Sequence, residues 1–265
     1  MVKIKLIRHA ESEFNALVTE TANQIGISRE QSKLFTYIKY RKTPDITDPP
    51  ITDKGVQQCL ERRKESETDL NTVKCIIATP MTRVLQTMRH VFNTKEDKGK
   101  YEILVHPLLR ERWESQCDIP SNTLENRKEF SEADFKMMDS QLNQYGYEWF
   151  VEEMLNPFKK EKLKHFLKDV PKGDKQQKNH RVIDFMLDLS PGFAEDYRDF
   201  AARILQFKQW LKEFCKERQF KDGEVALVAH SKSILFLTGS QFDESCWPHK
   251  GFTIKNCDIV EYDLA

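Results

Sequence analysis

Arg8 and His9 are the first residues in the chain whose types and spacing could do chemistry. A neutral imidazole can attack phosphorus. A guanidinium presents a planar fork of donors that fits phosphate oxygens. Two other polar clusters share the setting: Thr79-Pro80-Met81-Thr82-Arg83 and His230-Ser231 each follow directly on an apolar run, as Arg8-His9 does. In an open α/β sheet, ligands bind at the carboxyl ends of the strands. Two histidines and two arginines from distant parts of the chain can therefore converge on one crevice. Helices starting at that edge add backbone N–H groups and the positive end of their dipoles. Such a site suits a dianion, and the paired forks favour phosphate over carboxylate. In this reading His9 is the nucleophile, and His230, protonated beside the dianion, stabilises charge in transfer. Asn15, six residues after His9, is near enough to donate a further hydrogen bond.

The elements that must position these groups follow from periodicity. Val2 to Ile7, Val73 to Ala78, Glu102 to His106 and Val225 to Ala229 read as strands, and Phe252 to Leu264 as a last one. Thr52 caps a helix running through Gln57, Leu60 and Arg63. Thr79 reads as a cap with Pro80 at the first position of a helix striped by Val84, Leu85, Met88, Val91 and Phe92. Ser231 reads as the cap of another. Phe193, Tyr197, Phe200, Ile204, Phe207, Leu211 and Phe214, spaced by four and three, predict one long amphipathic helix. Residues 10–48 are polar, with weak helical patches. Residues 112–190 carry aromatic and methionine patches (Phe135, Met138, Leu142, Trp149, Phe150, Met154, Leu155) consistent with helices, and Lys168 to Arg181 reads as an exposed loop. The alternation predicts an α/β three-layer sandwich, with a mostly parallel central sheet and helices on both faces. One domain over residues 1–265 is expected, with a largely helical insert at about 112–190.

Charge and cysteine usage bound the function. Lys plus Arg and Asp plus Glu both number 42, which argues against general affinity for nucleic acid or an anionic membrane. No run of about 18 apolar residues exists, so no membrane span is expected. No signal-like segment opens the chain, and the six cysteines form no CxxC pair. Reduced thiols and a cytoplasmic location are expected from this, and no zinc site.

The segment LIRHAESEFN (residues 6–15) resembles the signature of the histidine phosphatase superfamily, to which the cofactor-dependent phosphoglycerate mutases belong. DPPITDKGVQQ (48–58), TPMTRVLQT (79–87) and VAHS (228–231) resemble three further segments of that family, in the family's order. The resemblance implies a phosphoglycerate-mutase-like fold and a phosphoryl group taken by His9 as phosphohistidine. It implies that Arg8, Arg83 and His230 hold the phosphoryl oxygens, with Asn15 assisting. A leucine-x-glutamate segment often supplies the acid, and Leu109-Arg110-Glu111 stands there, so Glu111 is the candidate and Glu114 its rival. Water would release phosphate, and no metal or organic cofactor is implied. The expected substrate is a phosphorylated small molecule or a phosphoprotein. A mutase, or an idle binding subunit of a homo-oligomer or larger assembly, stays open as an alternative. Ala10 and Ser231 stand where the family usually has glycine. Glu111-Arg112-Trp113-Glu114-Ser115 replaces the segment of the glycolytic mutases, which argues against that activity. Lys232 could add charge to the pocket or point into solvent.

Overall fold

A computed structural model of the chain describes residues 2–40, 46–120, 122–145, 149, 161, 165, 168 and 195–264. The central sheet contains β1 (Val2–Arg8), β2 (Cys75–Ala78), β3 (Glu102–Val105), β4 (Val225–Ala229) and β7 (Ile259–Leu264), in the order β3-β2-β4-β1-β7. Four strands run parallel, and β7 pairs antiparallel with β1. Every residue of β2 and β4 is buried, as a parallel sheet covered on both faces requires. A small antiparallel ribbon, β5 (Ser240–Phe242) with β6 (Pro248–Lys250), stands apart and had no signal in the periodicity.

The α-helices of the described residues are α1 (Glu13–Ile25), α2 (Arg29–Tyr40), α3 (Asp53–Glu65), α4 (Glu67–Leu70), α5 (Thr82–Phe92), α6 (Thr123–Glu129), α7 (Asp139–Tyr145), α8 (Tyr197–Glu217) and α9 (Ser231–Thr238). Alternate strand residues face opposite layers. Ile76, Ala226 and Val228 pack with Val84, Leu85 and Met88 of α5 and Cys59 of α3. Ile77, Leu227 and Ala229 pack with Phe200, Ile204, Phe207 and Leu211 of α8 and Ile234 of α9. The sandwich therefore has three layers, with the sheet in the middle. The stripe expected along α8 is the one buried, and each such side chain contributes about 1.5–3 kcal/mol. Among the described residues no helix is long and apolar enough to cross a membrane.

Several local expectations need correction. Residues 10–48 hold two well-formed helices. The first starts at Ser12, whose hydroxyl accepts from Asn15 N while the Asn15 side chain accepts from Ser12 N. The α5 helix begins at Thr82, not at Pro80. Its cap position is Met81, which has no side-chain oxygen, and Asp48 serves instead by accepting from Thr82 N and Thr82 Oγ1, both at 2.9 Å. Ser231 is the first residue of α9, with His230 at the cap position. The last strand is only Ile259–Leu264, because the chain before it is a turn with Cys257 in the left-handed region (φ 61°). In the region expected to be an insert, Trp113, Phe130, Phe135, Met138, Leu142 and Trp149 are buried in the same core as α5. Phe150, Met154, Leu155, Phe193 and the stretch after Lys168 lie outside the described residues.

Gly55 shows why the 48–58 segment is sensitive. Thr52 caps α3 as expected, accepting from Gly55 N at 3.0 Å. A Cβ on Gly55 would stand 2.3 Å from the Glu11 carbonyl oxygen. Gly55→Ala is expected to destabilise the protein by about 2 kcal/mol, a fall in Tm of about 4–8 °C in a thermal melt. An unchanged Tm would show that the Glu11 loop yields freely.

Candidate active site

The site begins as a matter of register. Arg8 pairs with Ala229 across β1 and β4, and His9 N donates to Ala229 O at 2.9 Å. His9 and His230 thus leave adjacent parallel strands side by side, with ring centroids 5.2 Å apart. Ala78 of β2 lies beside Val228, so Thr79 leaves the sheet at the same edge. His106 also follows a strand there, but its ring packs on Phe207 and Trp210 of α8. It accepts from Leu108 N at 3.2 Å, and burial pushes its pKa down to about 3, so its role is structural.

Hydrogen bonds fix the form of both facing imidazoles. His9 Nδ1 lies 2.7 Å from Ala10 O, and a carbonyl can only accept, so the proton sits on Nδ1 and the Nε2 lone pair is free. Burial, then Arg83 and Arg8, hold the His9 pKa well below its ordinary value. Arg83 has only donors to offer, so its terminal amine donates to His230 Nδ1 at 3.3 Å. His230 Nε2 then donates to Thr79 Oγ1 at 2.9 Å. Burial and Arg83 also push the His230 pKa well down. His230 is neutral here, and a proton on it would require the charge of a bound substrate.

The guanidinium groups differ in their ties. Arg83 donates to Cys117 O at 2.7 Å and to Asp118 Oδ1 at 3.1 Å, both ends of the ion pair being buried. Burial opposes its charge, but Asp118 and its neighbours raise the Arg83 pKa overall. Arg8 donates to Ile254 O at 3.0 Å, while its buried Nε has no partner. Burial lowers the Arg8 pKa, against the pull of Glu111. The Asn15 side-chain oxygen accepts from Ser12 N and, at 3.2 Å, from Asn256 Nδ2. This leaves Asn15 Nδ2 as its donor toward the cavity that the residue lines.

The two rival glutamates are distinguished by their neighbours. Glu114 accepts from Arg112 at 2.6 Å, from Lys33 at 3.1 Å and from Lys232 Nζ. Although burial opposes it, Lys33 and Lys232 bring the Glu114 pKa down to about 2. Among the described residues Glu111 accepts only from backbone N–H groups, Arg112 at 2.9 Å and Lys232 at 3.3 Å. Burial, with Asp118 nearby, raises its pKa. Glu111 is therefore suited to carry a proton and Glu114 is not. The Lys232 ammonium is bound to Glu114, and does not point freely into the pocket or into solvent.

These groups open on a cavity of about 230 Å³. Arg8, His9, Asn15, Arg83, Glu111 and Asp118 line one part of it. Arg29, Lys33 and Tyr37 of α2, Phe14 and Val18 of α1, and Glu114 also line it. His230 stands behind the lining, against His9 and Arg83.

Three supports had no sequence signal. Asn256 donates to His9 O at 2.8 Å and to Asn15, from a turn held by Cys257 N donating to Arg8 O at 3.0 Å. Asp118 orients Arg83. Glu195 accepts from Arg203 through both oxygens, at 2.9 and 2.6 Å, and Arg203 also donates to Leu108 O and Arg110 O, at 2.6 and 3.0 Å. That buried network fixes the loop bearing Glu111. Ala10 has no left-handed φ, so the site needs no glycine there.

No family model matches the chain. A probable phosphatase of Schizosaccharomyces pombe is 27% identical over 88 residues, 33% of this chain and 41% of that protein. The chain thus spans less than half the length of the curated relative it matches. A mycobacterial glucosyl-3-phosphoglycerate phosphatase solved with inorganic phosphate is similar at 13% identity over 98% of this chain and 89% of the other, with a TM-score of 0.48. A phosphoserine phosphatase of Entamoeba histolytica, in complex with 3-phosphoglyceric acid, is similar at 18% identity over 98% and 90%, with a TM-score of 0.44. All three of these proteins are phosphatases or probable phosphatases.

The Arg203 network gives a stability test. Arg203→Met leaves Glu195 buried with weaker partners, and is expected to cost about 3–5 kcal/mol in a denaturant melt. A loss below about 1 kcal/mol would show that other contacts hold the 108–111 loop.

Proposed function

We propose that the chain is a phosphatase of the histidine phosphatase superfamily, hydrolysing a phosphate monoester through a phosphohistidine on His9. The observation that carries this reading is the tautomer of His9, with its proton held by Ala10 O and Nε2 free at a cavity shared with Arg8 and Arg83. In the first step Nε2 bonds to phosphorus as the bond from phosphorus to the ester oxygen breaks. Glu111 gives its proton to the departing oxygen. Arg8, Arg83 and Asn15 donate to the phosphoryl oxygens, and His230 supports them from behind. In the second step Glu111, now a carboxylate, takes a proton from water. The water oxygen bonds to phosphorus, the P–N bond breaks, and phosphate leaves with His9 neutral again.

The small cavity supports a phosphorylated small molecule as substrate. Six free thiols, five of them buried, support a cytoplasmic location. The packing of residues 113–149 into the main core supports one domain with an insert.

His9→Ala is expected to abolish release of phosphate from a panel of phosphate esters, and the wild-type protein to form an acid-labile phosphoenzyme detectable by mass spectrometry. Equal turnover by His9→Ala would overturn the mechanism. Labelled ester separates hydrolysis from transfer back to substrate, because only hydrolysis accumulates free phosphate. The pH profile of kcat/KM should be bell-shaped. Rate rises as His9 loses its proton, well below pH 6.5, and falls as Glu111 loses its own, above pH 4.5. Glu111→Gln is expected to lower kcat about 100-fold or more on alkyl esters and to remove the falling limb. A Glu114→Gln profile that lost this limb would assign the acid to Glu114.

A further inference from the structure

The cavity has more cationic character than a phosphate at His9 uses. Four cations line it: Arg8, Arg29, Lys33 and Arg83. Arg83 is paired with Asp118, and Lys33 with Glu114. Arg8 lines the cavity with His9 and donates to Ile254 O. Arg29 is left over. It stands in the first turn of α2, and among the described residues no carboxylate lies within ion-pair distance of it. Its charge nevertheless reaches Arg8 and helps lower the Arg8 pKa, so the two guanidinium groups share one cavity and repel one another.

The α2 helix is held firmly enough for this placement to matter. Ser32 Oγ donates to Val18 O at 2.6 Å, and Tyr37 stacks on Phe14 with centroids 5.1 Å apart. Lys33 ties the same face of α2 to Glu114, on the loop that carries Glu111. The helix is therefore a fixed wall. Phe14 and Val18 of α1 line the same cavity.

We infer that Arg29 is the specificity-determining residue of this site, selecting small phosphate esters whose alcohol carries a second anionic group. The inference rests on the phosphatase reading for the identity of the first group, the phosphate at His9. The second anion is a carboxylate or another phosphate, since a guanidinium fork accepts either.

The test uses the full chain and three small esters: 2-phosphoglycolate, which adds a carboxylate; 1,3-propanediol bisphosphate, which adds a phosphate; and ethyl phosphate, which adds neither. Wild-type kcat/KM should be highest for one of the two charged esters, and the better of them identifies the anion. Arg29→Gln should lower kcat/KM for that ester about 10- to 100-fold, mainly through KM, and by at least tenfold more than for ethyl phosphate. Arg29→Lys should restore part of the loss. Equal losses on all three esters would place Arg29 on the transferred phosphate and overturn the inference, as would no loss or a wild-type preference for ethyl phosphate. Calorimetric binding of the same esters to His9→Ala protein separates the two readings. If the wild type turns over none of them, but Arg29→Gln in the His9→Ala background still weakens binding of a charged ester selectively, the selectivity stands and hydrolysis fails. If no charged ester binds, both fall.

Discussion

The pairing of β1 with β4 is the constraint on which the site depends. Arg8 stands opposite Ala229, and the ladder runs one bond further, from His9 N to Ala229 O. Neighbouring strands lie about 4.8 Å apart, which sets the distance between two imidazoles that follow them. A slip of one residue would move alternate side chains to the other face of the sheet. Both histidines would then be lost from the edge. The two apolar layers prevent the slip, because Leu6 and Leu227 belong to one and Ile7 and Val228 to the other.

Around that frame, the structure keeps neighbouring groups of one kind in different states. Two histidines pack edge to face, one with its proton on Nδ1 and the other with its proton on Nε2. Two glutamates three residues apart are separated by their partners: Glu114 is surrounded by three cations and Glu111 by backbone N–H groups. Burial acts on all four, and the nearby donors decide the outcome. Arg83 is the hinge between the pairs, since it touches His230 and is anchored by Asp118. A buried ion pair of this kind gives little net stability; its value here is orientation.

Much of the frame was legible in the sequence because strand ends and helix stripes are local patterns. The four strands, the α5 and α8 stripes and the residues directly after β1, β2 and β4 needed only short windows. Asn15 illustrates a double role, since its side-chain oxygen completes a helix cap while the residue lines the cavity. What escaped was held by long-range bonds. Asn256 reaches His9 across 247 positions, and Arg203 reaches Leu108 across 95. Neither has a periodicity or a spacing to betray it. Helix α2 escaped for another reason. It leaves Leu34, Phe35 and Ile38 exposed, so its apolar residues do not mark a single buried stripe. The cap of α5 was misplaced because Asp48, which performs it, comes from a separate loop.

The place of β1 between β4 and β7 has a consequence for how the protein forms. The strand that carries Arg8 and leads to His9 has both its neighbours in residues 225–264, more than two hundred positions away. Such pairing closes a very large loop before it gains any hydrogen bond, so it belongs to the slow part of folding. During synthesis the strand that leads to His9 emerges before β4 and β7 and waits with unpaired edges until they have been made. The two imidazoles therefore come together only at a late stage of folding, and a chain interrupted before β4 has no site at all.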